Sequence, residues 1–558
     1  FSEILLLPVS CTNSRVLRSR HWAAHARTIL RRFAVAALLA LALLLSATPE
    51  ASGSTVGVPW AGDPLYKEVP GLKKMAWGAK AGVADWTRRF KDNDAALSSL
   101  LVMRSRKMTE EDWVELCASL HGNTALKELK ASGHALSPTA AAAFGAMLAK
   151  NSGLKTLAVG DETFGDAGLS ALSQGLGENA ALQELELDLK GAGAEGAKAL
   201  AGALSTNTGL RKLTLARNKL GDAGVVALCE GLASSGRQGL EVLDLSETEM
   251  EDAGAAAVAA LLASPNCALS TLVLCQNTLS ETGCAALWNA LKTAAANKAA
   301  NEDTAANEDS KAANQGRALT SLSLDGCPGA LGGAAVEAMK EALAGSPALL
   351  HLSIQGAECP ESSRASAAVA LGSCTSLLKL KLNSTALGDE GMAALASGLV
   401  ARALADKAAG GGGAPMEVLD VSENGVTATG AASLLLCPAL SSKHVSLFGN
   451  SIAEGASALA LSLREGAAGG EAVGPGVQDV DLGGNSLQEE GSMALLAVFR
   501  DCPNLFPDLL TLGFGGNEGL NDKDEPEGEL KQLLDDLQSR PVPLEVVYRT
   551  SMADKPEV

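Results

Sequence analysis

From Leu97 onward the chain repeats itself about every 28 residues, and no other feature constrains its fold so tightly. The clearest copy runs Leu210-Arg-Lys-Leu213-Thr-Leu215-Ala-Arg-Asn218-Lys-Leu220-Gly-Asp-Ala-Gly224-Val-Val-Ala-Leu228-Cys-Glu-Gly-Leu232. Its first half reads L-x-x-L-x-L-x-x-N-x-L and its second half G-x-x-x-L-x-x-x-L. The first apolar position of each copy falls at Leu97, Leu126, Leu154, Leu182, Leu210, Leu240, Leu269, Leu319, Leu349, Leu377, Met416, Ser442, Val477 and Leu509, with Ser442 the poorest match. The first four intervals are 29, 28, 28 and 28 residues. Leucines two or three apart on a short strand point inward, and leucines four apart on the following helix point back at them. One copy cannot bury its apolar face alone, so each depends on its neighbours.

The ninth position of a copy carries Asn218, Asn277, Asn424, Asn450, Asn485 and Asn517. An amide there can satisfy backbone groups left unpaired in the turn after the strand, which predicts a structural Asn ladder. Thr248, Cys327 and Thr385 occupy the position elsewhere, while His134, Glu162, Lys190 and Ala357 break the rule. The second halves are rich in Ala and Gly, as in Ala253-Gly-Ala-Ala-Ala-Val-Ala-Ala-Leu-Leu262. Residues 97 to about 520 resemble leucine-rich repeat proteins of the ribonuclease-inhibitor-like class. That class also supplies the sensor arms of nucleotide-binding innate-immunity receptors and the Ran GTPase-activating protein. The resemblance implies an α/β solenoid, a horseshoe of about 14 strand–helix repeats with a parallel concave sheet and helices on the convex face. On function it is nearly silent, because the class hosts inhibitors, sensors and regulators alike.

Ahead of the repeats the chain reads as a targeting leader. Arg15, Arg18, Arg20, Arg27, Arg31 and Arg32 lie in a stretch with no acidic residue between Glu3 and Glu50, and the apolar run Phe33–Leu45 follows. Thirteen residues are short for a membrane span, which needs about 20, and suit the core of a signal peptide. Ala51-Ser-Gly53 offers small residues for cleavage, so residues 1–53 are expected to be removed. Arg31-Arg32-Phe33 before the apolar run resembles a twin-arginine signal, and the Ser- and Arg-containing segment before it resembles a transit peptide. Together they favour a plastid thylakoid lumen, with secretion or a type II membrane anchor as alternatives. Residues 54–96 read as an aromatic-rich extension and N-terminal cap, 97–540 as the repeat domain, and 541–558 as a C-terminal tail.

Charge narrows the partners. Residues 1–49 carry six Arg and one Glu, a net of +5, so the remainder carries −24 against −19 for the whole chain. Nucleic-acid binding draws most of its affinity from Lys and Arg on phosphate, so nucleic acid is not expected. Anionic membrane surfaces are disfavoured for the same reason, leaving membrane association only through the leader or a membrane-embedded partner complex. Protein partners remain.

Two regions are candidates for contacting them. Trp60, Tyr66 and Trp77 lie in a Pro- and Gly-punctuated segment that either helps to cap the first repeat or docks into a partner. Trp86, Phe90 and Trp113 are assigned to the cap. The solvent side of the strands is the second candidate, with Lys127, Lys155, Glu184, Arg211, Lys212, Glu241, Asp244, Lys379, Lys381 and Asp420 on the concave face. It alternates in sign and holds no Trp or Tyr, which suits a charge-steered partner. Insertions at 293–317, 401–414 and 464–476 interrupt the period; their Ala-, Asn-, Glu- and Gly-rich composition predicts flexible loops.

No catalytic constellation emerges. There is no H-E-x-x-H, no G-x-S-x-G and no Gly-Lys-Ser/Thr phosphate loop. The eleven Cys include no C-x-x-C pair, which argues against zinc or redox chemistry and for buried free thiols. The chain therefore reads as non-catalytic, without metal or cofactor: a binding scaffold or accessory subunit in an organelle lumen or secretory space. The alternative is an enzyme regulator such as a Ran-type GTPase activator.

Overall fold

The computed structural model describes residues 82–547, except 235–238, 266, 305–317, 346–347, 411–413, 469–473, 475 and 518–527. The chain divides into two units, residues 1–72 and 73–558, the first of which lies outside the described residues. So do the expected leader and Trp60, Tyr66 and Trp77.

The described part alternates strand and helix. Its strands are β1 (Ser99–Leu101), β2 (Glu128–Ser132), β3 (Thr156–Gly160), β4 (Glu184–Glu186), β5 (Lys212–Thr214), β6 (Val242–Asp244), β7 (Thr271–Val273) and β8 (Ser321–Ser323). They continue with β9 (His351–Ser353), β10 (Lys379–Lys381), β11 (Met416–Asp420), β12 (Ser442–Ser446), β13 (Asp479–Asp481), β14 (Thr511–Gly513) and β15 (Glu545–Val547). All fifteen are parallel and ordered as in the sequence, one open sheet. The helices are α1 (Val83–Lys91), α2 (Glu110–Leu120), α3 (Pro138–Lys150), α4 (Gly165–Leu176), α5 (Ala194–Leu204), α6 (Gly221–Ser234), α7 (Asp252–Leu262) and α8 (Glu281–Thr304). After them come α9 (Gly333–Gly345), α10 (Glu361–Ser373), α11 (Gly388–Ala408), α12 (Ala428–Leu435), α13 (Ala456–Ala467), α14 (Glu489–Asp501) and α15 (Gly528–Gln538).

The expected register holds in every copy. The fourth position of each aligns across the sheet, from Leu100 through Leu129 and Leu157 to Val480 and Leu512. Each is at most 2% exposed, and a fully buried leucine contributes about 1.5–3 kcal/mol. Ser442, the poorest match, is in register too, opposite Met416 and buried. A fifteenth strand, β15, extends the sheet by pairing with β14, within residues expected to form the tail.

Cap residues do what their size suggests. Trp86 and Phe90 on α1 and Trp113 on α2 are at most 2% exposed, closing the core beneath β1. Helix α2 begins at a capping box in which Thr109 Oγ1 accepts from Asp112 N while Asp112 accepts from Thr109 N; such reciprocal caps satisfy two otherwise orphaned donors.

Between layers, glycine permits backbone contact. A Cβ on Gly175 of α4 would stand 1.8 Å from the carbonyl oxygen of Gly145 on α3, so no side chain fits. The eighth position is left-handed in all copies but the first and third: Leu189, Arg217, Glu247, Gln276, Ser384 and Glu423 have φ between 53° and 59°, and Gly133, Gly326, Gly356, Gly449, Gly484 and Gly516 occupy it elsewhere. The turn after the strand imposes this conformation in those copies, at a cost of about 1–2 kcal/mol for a non-glycine residue.

The insertions differ from expectation. Helix α8 runs on through Thr304, α11 through Ala408 and α13 through Ala467, so the first parts of the segments at 293–317, 401–414 and 464–476 are helical, not loop. Ala and charged residues favour helix, and a helix already nucleated propagates cheaply. Arg402, buried in α11, ties this excursion back: Nη1 donates to Cys374 O and Leu377 O at 2.9 Å each, and Nη2 to Ala414 O at 3.1 Å.

Candidate functional site: the solvent face of the sheet

The third and fifth positions flank the buried rung on the open side of the sheet, where most are at least partly exposed and Ser99, Ala158, Thr214 and Val418 are buried, while the second sits at the strand's entry edge. That difference separates the candidate residues. Lys127 Nζ donates to Thr124 O (2.5 Å) and Gly153 O (3.4 Å), and Lys155 Nζ donates to Ala181 O (3.1 Å). Arg211 Nη1 donates to Gly239 O (3.2 Å) and to Glu241 Oε1 (3.4 Å). These second-position side chains staple one repeat to the next.

Glu184, Lys212, Asp244, Lys379, Lys381 and Asp420 lie on the face itself. Glu184 and Lys212 are register neighbours. Asp244 is engaged locally: its Oδ1 accepts from Ser246 N (2.9 Å) and Oγ (2.6 Å). Asp420 repeats the motif with Ser422 N (3.1 Å) and Oγ (2.5 Å). Lys379 lies 3.7 Å from Glu417, and Lys381 stands beside Asp420 in register. Lys130 reaches Glu128 (3.4 Å) and, across β3, Glu186 (3.5 Å), roofing Ala158. His444 pairs through Nδ1 with Asp479 of β13. Beside Lys379, His351 is held below the ordinary imidazole range by burial and by the lysine's charge.

In the middle of the face lies a polar knot that the sequence reading missed. Asp325 accepts from Ser353 Oγ (2.7 Å), Gln355 N (2.8 Å), Ser323 Oγ (3.0 Å) and Gln355 Nε2 (3.3 Å). Cys275 Sγ lies 3.1 Å from Ser323 Oγ. These residues hold fifth and seventh positions, so the period itself marks them as neighbours.

Both edges of the sheet carry amides. Asn218 Nδ2 donates to Leu187 O and Leu215 O at 2.8 Å each, while its Oδ1 accepts from Lys190 N (2.9 Å) and Ala192 N (3.1 Å). Asn277, Asn424, Asn450, Asn485 and Asn517 are likewise buried and bonded to backbone of the preceding repeat. Cys327 substitutes with a single bond, Sγ to Leu274 O at 3.2 Å. A second ladder runs through Asn123, Asn151, Asn179 and Asn207 where each strand begins. Asn151 Nδ2 donates to Leu120 O (2.6 Å) and Asn123 O (3.0 Å), and its Oδ1 accepts from Gly153 N (2.9 Å) and Leu154 N (2.7 Å). The recurring N-x-x-L ahead of the strands is its signal in the sequence.

A family model described as "Leucine Rich repeat" matches residues 206–229, 239–259, 373–396 and 414–435. The chain carries leucine-rich repeats. No curated protein matches it. Among solved structures, the repeat protein is similar to one titled as the Rad7 and Elc1 complex in yeast, at 14% identity over 84% of this chain and 89% of that one, with TM-score 0.40. A TLR13–ssRNA13 complex matches at 15% identity over 77% and 51%, TM-score 0.41. The leiomodin-1 actin-binding site 2 matches at 22% over 28% and 91%, TM-score 0.24.

The remaining titratable groups of the repeat protein are mostly committed to its interior. All ten described cysteines are free, and eight are buried. Burial pushes Cys229, Cys284 and Cys327 up to about 12, so their thiols stay protonated. Lys190, 5% exposed, is held below the usual lysine range by burial despite Asp188, Asp161 and Glu186 nearby. Among the described residues no group of three or more His, Cys, Asp and Glu could hold a metal ion.

Proposed function

We propose that this leucine-rich repeat protein is a non-catalytic scaffold, an accessory subunit that holds protein partners on the solvent face of its sheet. The carrying observation is that face itself: fifteen parallel strands present an uninterrupted row of side chains from β1 to β15. Its carboxylates and hydroxyls largely bond one another or the backbone, as Asp244, Asp325 and Asp420 do. Such groups suit a shaped, polar contact surface better than proton transfer, which needs a group poised toward a substrate. The working compartment in this reading is an organelle lumen, the thylakoid lumen favoured, or the secretory space. Arg31-Arg32-Phe33 and the apolar run after it support that placement.

Two measurements test the reading. The native protein, isolated from its source, is expected to elute in a particle larger than its 56.5 kDa chain and to crosslink to partners from face residues such as Lys381. A monomer without face crosslinks overturns the scaffold. The native N-terminus is expected near Ser54; an intact leader in cytosol overturns the lumenal placement.

A further inference from the structure

The first corner of the solvent face differs from the rest. Leu101, at the end of β1, is 38% exposed and Met103 just beyond it 46% exposed. They lead into a turn closed by Arg106 N donating to Met103 O at 2.9 Å. The turn exposes Arg104 and Lys107. Nearby cations are occupied: Arg88 by Asp85, Arg89 by Asp94, and Lys91 by Glu115. Arg104 and Lys107 form no ion pair among the described residues. Asp161 is within electrostatic reach of Arg104 but accepts from Thr163 N and Oγ1 instead.

The geometry keeps this corner open. The stem of Arg104 lies across Gly133, whose missing Cβ would fall 3.2 Å from Arg104 Cδ. Gly133, in the turn after β2, thus offers no side chain to crowd Arg104, and it is bonded onward to Gly160 O. Two apolar side chains and two available cations therefore share one edge of the face, in a chain whose net charge is −19. An acidic ligand is repelled by most of that surface and attracted here, which makes the location selective.

We propose that this corner captures an acidic amphipathic segment of a protein partner. Apolar side chains of the segment pack on Leu101 and Met103, and flanking carboxylates meet Arg104 and Lys107. The inference rests on the protein-binding reading above and adds the partner's chemistry and the place of contact.

The test uses the full chain and a labelled synthetic peptide alternating Asp or Glu with Leu or Phe, followed by fluorescence anisotropy, with a Lys/Leu peptide as control. The acidic peptide binds and the basic one does not. Arg104→Glu with Lys107→Glu weakens binding about tenfold or more, and Met103→Ser weakens it with little change in salt dependence. Circular dichroism checks that each variant stays folded; a misfolded reversal is replaced by Arg104→Gln with Lys107→Gln, for which a smaller loss is expected. Unchanged affinity in the folded charge variants, or equal binding of both peptides, overturns the proposal. A photo-crosslinking residue at 103 and another at 420, each in the native setting, separate this inference from the scaffold reading. Adducts from 103 to an acidic, apolar-containing segment of another protein support it. Adducts from 420 alone, or from 103 to a basic segment or a second copy, overturn the corner and leave protein binding standing. Adducts from neither remove both.

Discussion

Replacing Asn218 tests whether its ladder is a load-carrying part of the fold or only a recurrent sequence habit. Its side chain donates to Leu187 O and Leu215 O and accepts from Lys190 N and Ala192 N, all between 2.8 and 3.1 Å and buried. Asn218→Ala strands those four backbone groups where water has little access. A net value of about 1 kcal/mol per bond gives a loss of about 4 kcal/mol. Asn218→Cys is the informative comparison, because Cys327 shows that a thiol here can make one such bond, to Leu274 O. The Cys variant should recover about 1 kcal/mol of the loss and no more. Unfolding in urea measures the total, and amide exchange on repeats β4 to β6 locates it, since a solenoid can open repeat by repeat. Equal stability of the Ala variant and the wild type, to within about 1 kcal/mol, would refute the assignment. So would an exchange defect remote from β4–β6.

Other expectations follow from single contacts. Gly175→Ala drives a methyl onto Gly145 O and should lower stability by about 2–3 kcal/mol, read as a fall in the urea midpoint. Leu189→Gly relieves a left-handed leucine that is 51% exposed; a gain of up to about 1 kcal/mol is expected, and a loss would contradict the strain argument. Lys190 has a folded-state pKa below its ordinary value, so the unfolded chain binds the extra proton and the wild type gains stability as pH rises between those two pKa values. Lys190→Met should therefore stabilise the protein at neutral pH, with an advantage that shrinks by pH 10 in paired urea titrations. Among the described thiols, the half-buried Cys275 and Cys502 should react with an alkylating probe before the eight buried ones. Early loss of Cys284 would overturn that order.

The repeat was legible because its signal is redundant. Even Ser442, with no apolar side chain to mark the place, was held to register by the copies around it, and β12 forms where they require. The Asn ladder followed from chemistry, since an amide offers both donor and acceptor to a turn. Less was readable where a residue's role depends on its three-dimensional neighbours. Lys127 and Lys155 look like surface charges in one dimension; only strand stagger brings carbonyls of the next repeat within their reach. Asp325 gathers four donors, three of which arrive from β9 and its following turn, 28 to 30 residues later and beyond any local pattern. Asn123, Asn151, Asn179 and Asn207 are different, since N-x-x-L recurs openly ahead of four successive strands. The helical starts of the insertions were hidden by a composition shared between loop and helix.

Arg402 has a bearing on what the frame can host. By holding Cys374, Leu377 and Ala414 carbonyls together, its guanidinium closes the stem of the excursion between α11 and β11. The seam between β10 and β11 is thereby sealed upstream of whatever chain hangs beyond it. Closing a longer loop costs little, about 0.6 kcal/mol for each doubling of its length. A reporter domain grafted between Gly410 and Gly413 should therefore leave the adjoining strands in register, giving the protein a port for cargo.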